Sequence, residues 1–76
     1  MKNKAVTAAD IGTAVREKRK EDSLTLADAA ALSSVGYRFM SDLENGKETM
    51  QVGKVLKVLT ALGLNMTIEA RKWPNE

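Results

Sequence analysis

The chain contains no cysteine and no histidine in its 76 residues. Without cysteine no disulfide can staple it. With neither residue, an ordinary zinc site and Cys/His or Ser/His nucleophile systems are excluded. No apolar run approaches the roughly 18 residues that a membrane span requires. Met1–Asp10 lacks the apolar core of a signal peptide. Repeats and low-complexity stretches are absent. The one tryptophan and the one proline, Trp73 and Pro74, share the polar stretch 71–76. The expectation is a cytoplasmic protein with no cofactor, no metal and no membrane partner.

A chain of this length holds at most one domain. Such a domain buries only about 60% of its unfolded surface. It therefore needs an efficient helical core, a partner chain, or both. Twelve basic residues stand against ten acidic ones, a net charge of +2. That balance is a weak pointer to nucleic acid, and the placement of the charges says more than their total.

Residues 1–7 read as a short tail. Thr7 then opens a Thr-x-x-Asp signature with Asp10, in which the hydroxyl accepts from an orphan amide and the carboxylate suits the positive helix start. Ile11, Ala14, Val15 and the stem of Lys18 recur at helical spacing, which predicts a first helix over Ala8–Glu21. Thr25 and Asp28 repeat the signature and start a second helix, with Leu26, Ala29 and Ala30 on one face and an end near Leu32. A third runs from about Gly36 to Glu44, with Met40 and Leu43 inward and Phe39 partly buried. Asn45-Gly46 stops it. Val52, Val55, Leu56, Leu59 and Leu62 predict a fourth helix, ending at Gly63 with Leu64 closing the cap. Lys54 and Lys57 on this helix, and Arg16, Lys18 and Lys20 on the first, read mainly as solvent-facing charges.

Residues 65–70 differ. Asn65-Met66-Thr67-Ile68-Glu69-Ala70 alternates with period two, the pattern of a strand. A lone strand cannot satisfy its backbone groups. The simplest solution is pairing with the same strand of a second copy across a twofold axis, which makes Met66, Thr67 and Ile68 dimerisation residues.

Two short helices joined by a tight turn, the second with an exposed polar face, form the helix-turn-helix pattern. The stretch LTLADAAALSSVGYRFMSDLENGK resembles the helix-turn-helix of the Xre/phage-repressor family. That family commonly reads Leu-Thr-Gln-x-x-Leu-Ala, then Gly-Val-Ser, then Ile-Ser-x-Ile-Glu-x-Gly-Lys. The matches are Leu24, Thr25, Ala30, Val35, Ser41, Leu43, Glu44, Gly46 and Lys47, with Met40 in place of isoleucine. Leu26 stands where the family carries a phosphate-donating glutamine, Ser34 where it carries the turn glycine, and Gly36 where it carries the cap serine. Ala-Leu-Gly-Leu followed by Asn-Met-Thr-Ile narrows the resemblance to HipB-type antitoxins, over about Asp10–Ile68.

The resemblance implies an all-α, four- to five-helix lambda-repressor-like domain over 8–64 and a C-terminal β-strand over 65–70 that pairs across a homodimer, leaving 71–76 as a tail. It also implies a repressor that binds palindromic double-stranded operator DNA and neutralises a HipA-type kinase toxin, in bacterial cytoplasm at the nucleoid. By position, Tyr37, Arg38, Ser41 and Asp42 fall where the family reads base edges. Arg38 suits a bidentate pair with guanine O6 and N7. Asp42 suits cytosine N4, or else the holding of Arg38 one turn away. Phosphate contacts fall to Thr25, Ser34, Gly36, Asn45 and Lys47, with backbone amides prominent. Arg19 and Glu44 match an ion pair between the first and third helices. Trp73 packs on the dimer or anchors a partner.

Two other readings use the same residues. One is a toxin-binding module with weak DNA affinity, favoured by Trp73 and by Leu26. The other is a phage-type regulator with no toxin. An enzyme is the poorest fit, because Asp28, Asp42, Glu44 and Glu48 imply no pocket and the chain is too short for a separate cleft.

Overall fold

The computed structural model describes residues 5–70. In these it holds four helices, α1 (Ala8–Glu21), α2 (Leu26–Ser33), α3 (Tyr37–Glu44) and α4 (Val52–Ala61). The first two start as their sequences dictate. Thr7 Oγ1 accepts from the Asp10 amide at 3.1 Å, and Asp10 Oδ2 accepts from the amides of Thr7 and Val6 at 3.1 and 2.9 Å. Thr25 and Asp28 form the same reciprocal box at 3.0 and 3.1 Å. Each box satisfies donors that a bare helix start leaves open.

The four helices end in one way. Amides of Leu24, Val35, Lys47 and Leu64 donate back five residues, to carbonyls of Arg19, Ala30, Asp42 and Leu59. Just before each donor stands a left-handed residue: Ser23 (φ 58°), Ser34 (φ 56°), Gly46 (φ 80°) and Gly63 (φ 76°). Glycine adopts this conformation freely, whereas a serine there is strained. Leu24, Val35 and Leu64 then lay their apolar side chains against the core.

That core is Val15, Ala29, Ala30, Met40, Leu43, Val55, Val58, Leu59 and Leu62. α3 packs against both α1 and α2, and α4 packs against α2. The two small alanines on α2 let its neighbours come close. α4 corrects the sequence expectation. Val55, Leu59 and Leu62 are buried as expected, but Val52 and Leu56 are 68% and 44% exposed and Val58 takes their place. The helix carries two overlapping apolar stripes, and burying 55, 58, 59 and 62 turns 52 and 56 outward.

Among the described residues the fold is all-α, with four helices and no strand. The strand expected at 65–70 is not formed in the single chain, since a ladder requires a hydrogen-bonded neighbour and one chain supplies none here. Met66, Thr67 and Ile68 are exposed. Trp73 lies outside the described residues. No described helix is long and apolar enough to cross a membrane.

Candidate nucleic-acid interface

α3 has two unlike faces because its sequence has two. Met40, Leu43 and Glu44 are buried, while Tyr37 is 58% exposed and the Arg38 side chain 91% exposed. Positions 37, 38, 41 and 42 recur at helical spacing on the side opposite 40 and 43. Ser41 and Asp42 on this side are half-buried. The Asp42 carboxylate faces two cations: Arg38 Nε lies 3.5 Å from Oδ1, and Lys47 Nζ lies 3.6 Å from Oδ2. The Lys47 amide also donates to the Asp42 carbonyl at 3.0 Å. The loop residue Lys47 is thus held on the same face as the helix residues before it.

The remaining residues expected to touch phosphate surround this face in different ways. Thr25 and Gly36 are the N-caps of α2 and α3. Thr25 spends its acceptor oxygen on the cap, while Gly36 leaves α3 with no side-chain cap. Ser34 is the left-handed residue of the turn, and its carbonyl accepts from Lys57 Nζ at 3.3 Å. Asn45 Oδ1 accepts from Arg16 Nη2 at 3.1 Å, so its side chain is drawn toward α1.

α1 fixes the far end of α3. The Glu44 carboxylate, 2% exposed, receives Arg19 at two points: Nε to Oε2 at 2.6 Å and Nη2 to Oε1 at 3.0 Å. The bond to Glu44 raises the Arg19 pKa above its ordinary high value. Arg19 Nη1 also donates to the Leu24 carbonyl at 2.9 Å. Arg16 Nε adds a third contact to Glu44 Oε1 at 3.3 Å. Between these arginines and the start of α1 lies Gly12, which is buried. A Cβ there would run into the Leu43 carbonyl oxygen and stand 2.8 Å from that of Glu44.

Sequence reasoning missed several of these roles. Arg16 is no free surface charge but a partner of Glu44 and Asn45. Lys57 ties α4 to the turn, and Lys54 Nζ sits 5.7 Å from the centre of the Phe39 ring. Gly12 carried one usable signal, a glycine at the i−4 position from Arg16 on the helix face that meets α3.

No protein-family model matches the chain. A HTH-type transcriptional regulator of Sinorhizobium fredii (strain NBRC 101917 / NGR234), y4mF, is 49% identical over 70 residues, 92% of each chain. The chain belongs to the Xre-type family of helix-turn-helix transcriptional regulators. Solved structures share the regulator's fold. A HipB variant in complex with an O2 20mer superposes with a TM-score of 0.83 at 22% identity, over 95% of this chain and 100% of that one. A chain of a HipA–HipB–O2–O3 complex gives 0.80 at 22% identity, over 91% and 97%. At that identity the likeness establishes this Xre-type regulator's fold.

Proposed function

We propose that this Xre-type regulator is a dimeric, sequence-specific repressor of operator DNA and the antitoxin of a HipA-type toxin–antitoxin operon. The observation that carries the reading is the outward face of α3. Tyr37, Arg38, Ser41 and Asp42 stand there together, with Lys47 beside them, on a helix whose other face is pinned to α1 and α2. A major groove admits such a helix, and Arg38 has the reach and the donor fork for guanine. The uncapped start of α3 offers amides to a phosphate, with Thr25, Ser34, Gly36, Asn45 and Lys47 around it.

The dimer reading is supported by exposed apolar side chains. Met66 and Ile68 in the 65–70 segment, and Val52, Leu56 and Leu32 on the helices, are uncovered in the single chain. Pairing two 65–70 segments across a twofold axis covers the first group. It also presents two α3 helices to a palindromic site, with half-sites roughly 34–36 Å apart. The toxin reading is supported by the likeness to a chain of the HipA–HipB–O2–O3 complex, with Trp73 as the proposed partner anchor. Action on DNA places the protein at the nucleoid, in bacterial cytoplasm.

The test is fluorescence anisotropy on the protein's own upstream DNA against scrambled DNA of equal length, at near-physiological salt. The expected preference is about a hundredfold or more, within the range of specific binders. Affinity should fall steeply with salt, by about 10³–10⁵ between 50 and 200 mM for six to ten phosphate contacts. No preference would leave the second reading, in which the helix-turn-helix is a scaffold for holding a toxin.

A further inference from the structure

We propose that Asp42 is a discrimination residue. It is the counter-charge that Arg38 and Lys47 share in the free protein, and it sets the ratio of cognate to non-cognate DNA affinity. The inference rests on the DNA-binding reading and adds a specificity device to it.

Three observations carry it. The carboxylate splits between two cations, Arg38 at 3.5 Å and Lys47 at 3.6 Å, one oxygen to each. The position of Lys47 is fixed by its backbone bond to the Asp42 carbonyl, so the trio is built by the chain and not by the ion pairs alone. The pairs also have little to do for stability. The Arg38 side chain is 91% exposed and that of Lys47 52%, and pairs this open contribute little to folding. Three other carboxylates of these helices have structural work: Asp10 and Asp28 cap, and Glu44 is buried between arginines. Asp42 instead places a negative charge on the face proposed to meet a polyanion.

That placement acts unequally on the two kinds of DNA. Non-cognate binding depends on how many phosphates the cations neutralise. With Asp42 present, the trio offers one net positive charge instead of two. The carboxylate repels every backbone it approaches, cognate or not. On the cognate site Asp42 keeps its ion pair with Arg38 Nε, so the two terminal nitrogens are aimed as a fork at guanine, and this alignment offsets the repulsion. Non-cognate DNA presents no guanine to the aligned fork, so there the repulsion is uncompensated. Asp42 therefore weakens loose binding more than it weakens the right site.

The experiment uses the full chain and three proteins: native, Asp42→Asn and Asp42→Glu. Each is titrated with the upstream fragment and with scrambled duplex of equal length, over a series of salt concentrations. Asp42→Asn should bind scrambled duplex about five- to tenfold more tightly, and its salt slope there should steepen by about one unit. Cognate affinity should change by less than about threefold, so the ratio falls, with the unfolding midpoint unchanged. Asp42→Glu should restore much of the native ratio. A loss of cognate affinity with no gain on scrambled duplex would overturn the proposal and make Asp42 a direct reader of a base. An equal gain on both duplexes, or no change on either, would overturn it too. A native protein with no preference for the upstream fragment would instead defeat the DNA-binding reading itself, and this inference with it.

Discussion

Gly12 on α1 faces the carbonyl oxygen of Leu43 near the end of α3 so closely that a Cβ at position 12 would run into it. The two helices meet there backbone to backbone. Because carbonyl oxygens cannot step aside as side chains do, Gly12→Ala must push α3 off α1. Overpacking of this kind costs about 1–3 kcal/mol. Denaturant unfolding should show that loss, and DNA affinity should fall further than the lost folded fraction explains. An unchanged unfolding midpoint would mean that the helices separate freely.

Arg19 and Arg16 both reach Glu44, but they are not equals. Arg19 is bidentate with a side chain only 12% exposed, whereas Arg16 is 45% exposed and makes one bond to the acid. Removing one partner of a buried pair costs about 3–5 kcal/mol, because it strands the other charge. Arg19→Met should lose that much by urea unfolding. Arg16→Met should lose less than about 1 kcal/mol. Equal losses would show that Glu44 depends on both.

The two capping aspartates predict an acid limb in stability. Asp10 is held below its ordinary pKa chiefly by the Val6 amide and then by that of Thr7, and Asp28 chiefly by the Thr25 amide. As pH falls, the unfolded chain takes up these protons first. The contribution is complete above the ordinary aspartate pKa of about 4 and is lost as pH drops through the lower folded values. Urea midpoints should therefore decline below about pH 4, and the decline should be shallower in Asp28→Asn. A native curve that is flat there would remove the caps from the account.

Ser34 carries a conformation better suited to glycine, with φ at 56°. A left-handed residue other than glycine costs about 1–2 kcal/mol. Glycine returns about 0.5–1 kcal/mol of that through its larger unfolded entropy. Ser34→Gly should thus stabilise the domain by about 0.5–1 kcal/mol, measured as a rise in urea midpoint. A fall would mean that the serine hydroxyl has a role in the folded turn.

Arg38→Ala tests the reading face with little structural side effect, given the exposure of that side chain. Specific affinity should fall by about 1–3 kcal/mol and preference should relax at one base pair. Unfolding should be unaffected. A toxin-binding assay on the same variant should be unchanged, and an equal loss there would assign α3 to the protein partner.

Local chemistry was legible and distant contact was not. Thr7 with Asp10, and Thr25 with Asp28, are separated by one helical turn, so their boxes can be read directly from the string. The polar face of α3 follows from spacing alone. Arg16 could not be read this way, because its partners Glu44 and Asn45 lie 28 and 29 positions along the chain. Lys57 is the same case, since its acceptor Ser34 lies 23 positions back, in the turn after α2. The outward turn of Val52 and Leu56 was hidden for a different reason. α4 has two apolar stripes, and periodicity does not choose between them. The choice is made by the packing of α4 on α2, a distant contact that the string does not give.

Those two outward residues bear on how such a regulator responds to its own abundance. When the apolar face of one copy is covered only by another copy, the folded population grows with total concentration through mass action. An operator that requires two copies then fills more steeply than in proportion to the number of chains. Dilution during growth would empty it sooner than it would empty the site of a monomeric regulator of equal affinity. Were the proposed dimer to cover Val52 and Leu56, the surface left bare by the packing of α4 would set a threshold of abundance for the proposed repression.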